Sequence, residues 1–141
     1  MQLQHNSASK VLHLLFAGFI ALALPGSSRA DWNVTILHPA GALESVAYGA
    51  GGTQQVGMVR SEDFGPQHAV LWNGSAASAV DLSPAGSSQS WAFGTSGSQQ
   101  VGFATNLTQH AALWNGTAAS HVDLHPAGST FSAAIATNGT T

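Results

Sequence analysis

Histidine and aspartate return at fixed places along this chain. His68 and His110 each open a segment that runs on through Leu-Trp-Asn-Gly, and Asp81 and Asp123 each stand in Val-Asp-Leu. His38 and His125 share a third place, before Pro-Ala-Gly, where Ser83 stands in the copy between them. Imidazole and carboxylate are metal ligands, but zinc takes three or four convergent ones. Neither His-x-His nor His-Glu-x-x-His spacing occurs. Two carboxylates could share acid–base work across a glycosidic bond. Equivalent positions in successive copies point instead to one local task done twice. For each histidine that task is a hydrogen bond to a neighbouring turn or repeat; for each aspartate it is capping of the Pro-Ala-Gly turn. Calcium asks for several oxygens in a tight loop, and the chain has no Asp-x-Asp-x-Asp run. A Gly-x-Ser-x-Gly elbow and a Gly-Lys-Ser/Thr phosphate loop are likewise missing from the sequence. The expectation is therefore a non-enzyme with no catalytic residue, no cofactor and no metal.

Tryptophan is the other candidate. Trp72, Trp91 and Trp114 recur by position, together with Tyr48 and Phe93. Their first reading is repeat core. The functional alternative is a set of exposed rings on which a neutral sugar stacks, and under it Trp72, Trp91 and Trp114 are the binding residues.

These residues are positioned by a repeat. Leu37-His38-Pro39-Ala40-Gly41 returns as Leu82-Ser83-Pro84-Ala85-Gly86 and as Leu124-His125-Pro126-Ala127-Gly128. Gln54-Gln55-Val56-Gly57 returns as Gln99-Gln100-Val101-Gly102. Two full copies span 37–81 and 82–123, and a partial one spans 124–141. Their length difference falls in Arg60–Gln67 against Thr105–Gln109, which marks a surface loop. Each copy reads as four short strands: Ser45–Ala50, Gln55–Val59, His68–Trp72 and Ala79–Leu82 in the first. In the third strand, Ala69 and Leu71 face one way while His68, Val70 and Trp72 face the other. Gly-rich and Asn-Gly turns separate the strands. Val34–Leu37 aligns with a lone fourth strand and Ser132–Ala136 with a lone first strand, which gives about ten strands. The fold class is all-β: tandem four-stranded antiparallel repeats after an N-terminal signal helix. A repeat buries its apolar face only against neighbours, so the interrupted last copy leaves a homo-oligomer or a larger parent chain to finish the stack.

Composition narrows the partners. Only 6% of residues are charged, against roughly 25% in an ordinary soluble domain. Residues 31–141 hold one basic side chain, Arg60, against six acids. Phosphate binding needs Lys and Arg to displace counterions, so nucleic acid is excluded as a partner. With no cysteine there is no disulfide, thiolate site or lipid-anchored cysteine.

The first thirty residues read as an address. A polar start carries Lys10; Val11 to Leu24 is mostly apolar; Pro25-Gly26 breaks the helix; Ser27-Ser28-Arg29-Ala30 offers small residues for cleavage. The apolar run is short of the roughly 20 residues a membrane span needs. The expected domains are a signal peptide, 1–30, and a β-repeat domain, 31–141. The expected destination is secretion, to the periplasm or outside the cell, with no membrane span after cleavage.

The pattern resembles the bacterial HAF-type extracellular repeats. The matching residues are Gln55-Val56-Gly57, His68-Ala69-Val70-Leu71-Trp72 and Asp81-Leu82, with their second-copy partners. Val70 and Ala112 stand where that family usually has phenylalanine. The resemblance implies four-stranded blades of a β-propeller and an exported protein, and it brings no catalytic residues. Two and a half blades fall short of the four to eight of a closed ring, so a flat β-solenoid or open meander is the fallback. The functional expectation is an exported non-catalytic module with a scaffold or binding role at or outside the cell surface. Its ligand would be a protein or a neutral glycan. The alternatives are a carbohydrate-binding or adhesive module, or a fragment of a secreted hydrolase whose active site lies outside these residues.

Overall fold

Period-two alternation and turn residues at regular intervals leave this chain little choice but strands. The computed structural model describes residues 31–140 apart from Phe64; the signal helix expected in 1–30 lies outside the described residues. The first sheet comprises β1 (Glu44–Gly51), β2 (Gln54–Arg60), β3 (His68–Trp72) and β4 (Val80–Asp81). The second comprises β5 (Gln89–Thr95), β6 (Gln100–Thr105), β7 (Gln109–Trp114) and β8 (Val122–Asp123). Each is a four-stranded antiparallel meander in sequence order. A 3-10 turn, Ala76–Ser78 or Ala118–Ser120, precedes each fourth strand. The all-β reading is thus borne out at the level of two four-stranded antiparallel sheets. Among the described residues no helix is long and apolar enough to cross a membrane.

Register repeats with the sequence. Gln55 pairs with Trp72 and Gly57 with Val70 in the first sheet; Gln100 pairs with Trp114 and Gly102 with Ala112 in the second. Both first strands carry a bulge, between Ala47 and Gly49 and between Ala92 and Gly94. A bulge turns the residue within it away from the regular alternation. The residues so turned are Tyr48 and Phe93.

The expected ten strands are corrected to eight among the described residues. Residues 34–37 and 132–136 form no ladder. A strand is defined by its hydrogen-bonded neighbour, and each of these segments lacks the partner strand that its counterpart has in a full copy.

Packing is face to face. One core cluster joins Val56, Ala69 and Leu71 of the first sheet to Ala92, Ala104, Ala112 and Trp114 of the second, with Leu82 from the connection between them. A second cluster, Val59, Val70 and Trp72, lies on the other face of the first sheet under Leu37 and Ala42. The alternation along β3 therefore sends its two side-chain sets into two different cores, as the sequence requires. At Gly49 the first strands of the two sheets come so close that a Cβ would collide with the Phe93 carbonyl oxygen. Gly94 stands in the same relation to the Ile135 carbonyl oxygen, which a Cβ would meet at 2.7 Å. Only glycine allows that approach, so the spacing of the stack is written into these two positions.

Candidate functional site

The recurring polar residues are placed by β3 and β7 and by the connections that follow them. His68 Nδ1 donates to Asp81 Oδ2 at 2.7 Å, and His110 Nδ1 donates to Asp123 Oδ2 at 2.8 Å. The other carboxylate oxygen accepts the backbone N–H two residues on, Ser83 or His125. Each aspartate thus fastens its own turn and anchors a histidine. Asp123 is held below the usual carboxylate range, first by the His110 hydrogen bond and then by the His125 N–H. The capping of the turn is as the repeat implied; the histidine bond runs to the fourth strand of the same copy, where a neighbouring turn or repeat was expected.

The third histidine position ties one copy to the next. His125 Nε2 faces the Ser129 carbonyl at 3.0 Å and must carry the proton, so Nδ1 accepts from Ser132 Oγ at 2.7 Å. Ser132 Oγ in turn accepts the Ala111 N–H at 2.8 Å. His38 makes the same two contacts, to Ala42 and Ser45. In the middle copy Ser83 takes over: Ser90 Oγ donates to Ser83 Oγ and accepts the Ala69 N–H. Serine beside histidine is the arrangement of an activated nucleophile. Here the same hydroxyl is tied to a backbone N–H in both copies, and in one of them no histidine is needed.

The paired glutamines divide their work. Gln55 and Gln100 each accept the glycine N–H of their own Asn-Gly turn, at 3.0 and 2.7 Å. Gln54 and Gln99 reach the following copy, where each accepts a threonine hydroxyl, Thr95 or Thr137. Neighbours on a strand point to opposite faces, which is why one pair can serve two partners.

The three candidate tryptophans separate. Trp72 and Trp114 are fully buried, one in each core cluster. A stacking platform needs an open ring face, so the exposed-aromatic reading is corrected to core at these two positions. Their indole Nε1 atoms meet no hydrogen-bond partner among the described residues. Trp91 is different. It is half-buried and stacks on Tyr48 across the two sheets, with ring centres 5.6 Å apart and planes 28° apart. Phe93 and Phe103 complete the cluster. Burial, and then the nearby Glu44 carboxylate, push the Tyr48 phenol up. Trp91 Nε1 donates to Gln67 Oε1 at 3.0 Å, and Gln89 Nε2 donates to the same oxygen at 2.8 Å.

Sequence reasoning passes over the polar neighbours of Trp91. Gln67, Gln89, Glu44 and Arg60 come from four separate stretches, and only their shared place at one seam gathers them. The one signal for them in the sequence is length variation between the copies, which marks the Arg60–Gln67 loop.

Where the second copy meets the partial one, two imidazoles lie flat on each other, His110 on His125, with centres 3.9 Å apart. His121 packs near Trp114, and its Nε2 is buried with no partner among the described residues. Among those residues no three histidine, aspartate or glutamate side chains are grouped to hold a metal ion. Compared with known proteins, the chain matches no family model, no curated sequence and no solved structure.

Proposed function

We propose that the chain is an exported, non-catalytic repeat module with a scaffold or binding role at or outside the cell surface. The observation that carries this reading is the duplication of the His–Asp pair. His68 with Asp81, and His110 with Asp123, make the same bonds in both sheets, and each aspartate also caps its turn. Groups with reactive chemistry are thereby engaged in holding strands and turns. The two sheets are read as successive blades of a propeller-like stack, supported by their first strands meeting at Gly49 and by the face-to-face core. Export is supported by the leader pattern of residues 1–30.

The test is expression of the full chain with a C-terminal tag in a bacterium that has an outer membrane. The expected outcome is tagged protein in the periplasm or medium, with a mass matching cleavage near Ala30. Full-length protein held in the cytoplasm overturns the reading. A glycan-binding role is the second reading, favoured by the accessible Tyr48–Trp91 stack.

A further inference from the structure

Among the described residues the ties between copies recur, and a polar and aromatic cluster beside one of them has no counterpart. It lies at the seam between the first and second sheets. Arg60 Nε donates to Glu44 Oε2 at 3.1 Å, and Gln67 Nε2 reaches the same oxygen at 3.5 Å. The Gln67 side-chain oxygen Oε1 receives Gln89 and Trp91, and Trp91 carries Tyr48, which is 41% exposed. An open cleft lined by Glu44, Arg60, Gln67, Ser88 and Gln89 lies beside this network. At the next seam the corresponding residues are Gln89, Thr105, Gln109 and Ala133 in place of Glu44, Arg60, Gln67 and Trp91. Ion pair and indole are both gone there, and Gln109 turns to the Ser132 carbonyl. Yet that seam keeps the serine tie and the glutamine–threonine tie. The stack can therefore be held without the cluster.

We propose that this cleft is a binding site for a neutral pyranose-containing glycan. The inference rests on the reading of the chain as a binding module and names its ligand class. The guanidinium, carboxylate and two amides are planar groups that donate and accept in pairs, which suits adjacent sugar hydroxyls. Tyr48, backed by Trp91, keeps part of its ring open, which suits the C–H face of a sugar ring, since an apolar body with a polar edge is what such a ligand presents. Arg60 and Glu44 neutralise each other, so the cleft offers no net charge to a charged ligand. Arg60 is also the single basic residue of 31–141, and it sits here.

The experiment uses the purified full chain in native gels cast with hydroxyethyl cellulose, galactomannan, soluble starch or dextran sulfate. The expected result is retardation by at least one of the three neutral polymers. Tyr48→Ser and Gln89→Ala should each weaken that affinity about fivefold or more, while Ile135→Ser, at a residue 66% exposed beside Gly94 on the next seam, leaves it unchanged. Circular dichroism on each sample separates a lost site from a lost fold. Retardation by dextran sulfate alone, equal retardation of all variants, or none for a folded chain overturns the assignment. A protein that is exported and folded yet never retarded loses the glycan and keeps the module reading. A protein that is not exported loses the module reading whatever the gels show.

Discussion

The seam between the two sheets and the seam between the second sheet and residues 132–140 use equivalent residues and end differently. At both, a serine hydroxyl accepts a backbone N–H from the preceding copy: Ser90 from Ala69 at 2.9 Å, Ser132 from Ala111 at 2.8 Å. At both, a serine N–H reaches a glutamine carbonyl, Ser90 to Gln67 and Ser132 to Gln109. The apolar residues part company. Leu82 is 0% exposed and its counterpart Leu124 is 43% exposed. Leu82 has a whole sheet over it, whereas Leu124 has a single strand-like segment nearby. One segment is thus enough to make these hydrogen bonds of the seam, and a full sheet is needed to exclude water from it. Recognition between copies lies in the polar ties; stability lies in the area that follows.

The sharpest way to break the comparison is to cut the two leucines alike. Leu82→Ala should cost about 2–5 kcal/mol, because a closed core leaves a cavity. Leu124→Ala should cost about 1 kcal/mol or less, since its side chain already meets water. Urea unfolding followed by circular dichroism measures both. Equal losses would mean that Leu124 is covered in solution, as it would be if another copy of the chain lay on the second sheet. A smaller effect is expected from the serines. Ser90→Ala strands the Ala69 N–H inside the closed seam, at about 1–3 kcal/mol. Ser132→Ala strands the Ala111 N–H at the open seam, where water can replace the hydroxyl, so the same measurement should show a loss about half as large or less. A larger loss at Ser132 would reverse the order of the two seams.

Much of the first seam is legible in the amino-acid sequence alone. Alternation in His-Ala-Val-Leu-Trp gives β3 its limits, His68–Trp72, and sends Leu71 and Trp72 to opposite faces. Recurrence at fixed offsets reveals the turn-capping duty of Asp81 and Asp123 and marks His68 and His110 as hydrogen-bonders, but it does not pair histidine with aspartate. Three things stay hidden for physical reasons. Recurrence marks Trp72 and Trp114 as core, but which core each one enters depends on what stacks over it, and a strand's own pattern does not name its cover. Residues 34–37 and 132–136 have strand composition, but pairing needs a partner strand, and none pairs with them among the described residues. The Tyr48–Trp91 stack crosses between copies and depends on the bulge at Ala47/Gly49, which no spacing announces. Its polar neighbours Arg60 and Gln67 bound the one loop where the copies differ in length, so comparing copies marks the loop and says nothing of what these two side chains do there.

The smallest expected effect separates the two copies by pH. Where the first copy has Ala79, the second has His121. Burial pulls the His121 imidazole below its ordinary 6.5, and the Asp123 carboxylate pulls it back less strongly. As pH falls below about 6.5, the unfolded chain takes up a proton that the folded ring refuses. The stability contribution of His121 is therefore complete above that pH and is lost as pH falls through the folded value. Asp123 acts later. Its folded pKa is also depressed, so its contribution is complete above about 3.9 and is lost as pH falls through its own lower value. The two windows do not overlap at their upper ends, and one substitution separates them. His121→Ala, which gives the second copy the residue of the first, should flatten the fall in urea midpoint just below pH 6.5 and keep the steeper fall below pH 4. Identical curves for the two proteins between pH 7.5 and 4.5 would show that the ring reaches water when folded, and would place His121 at an open seam like that of Leu124 instead of against Trp114.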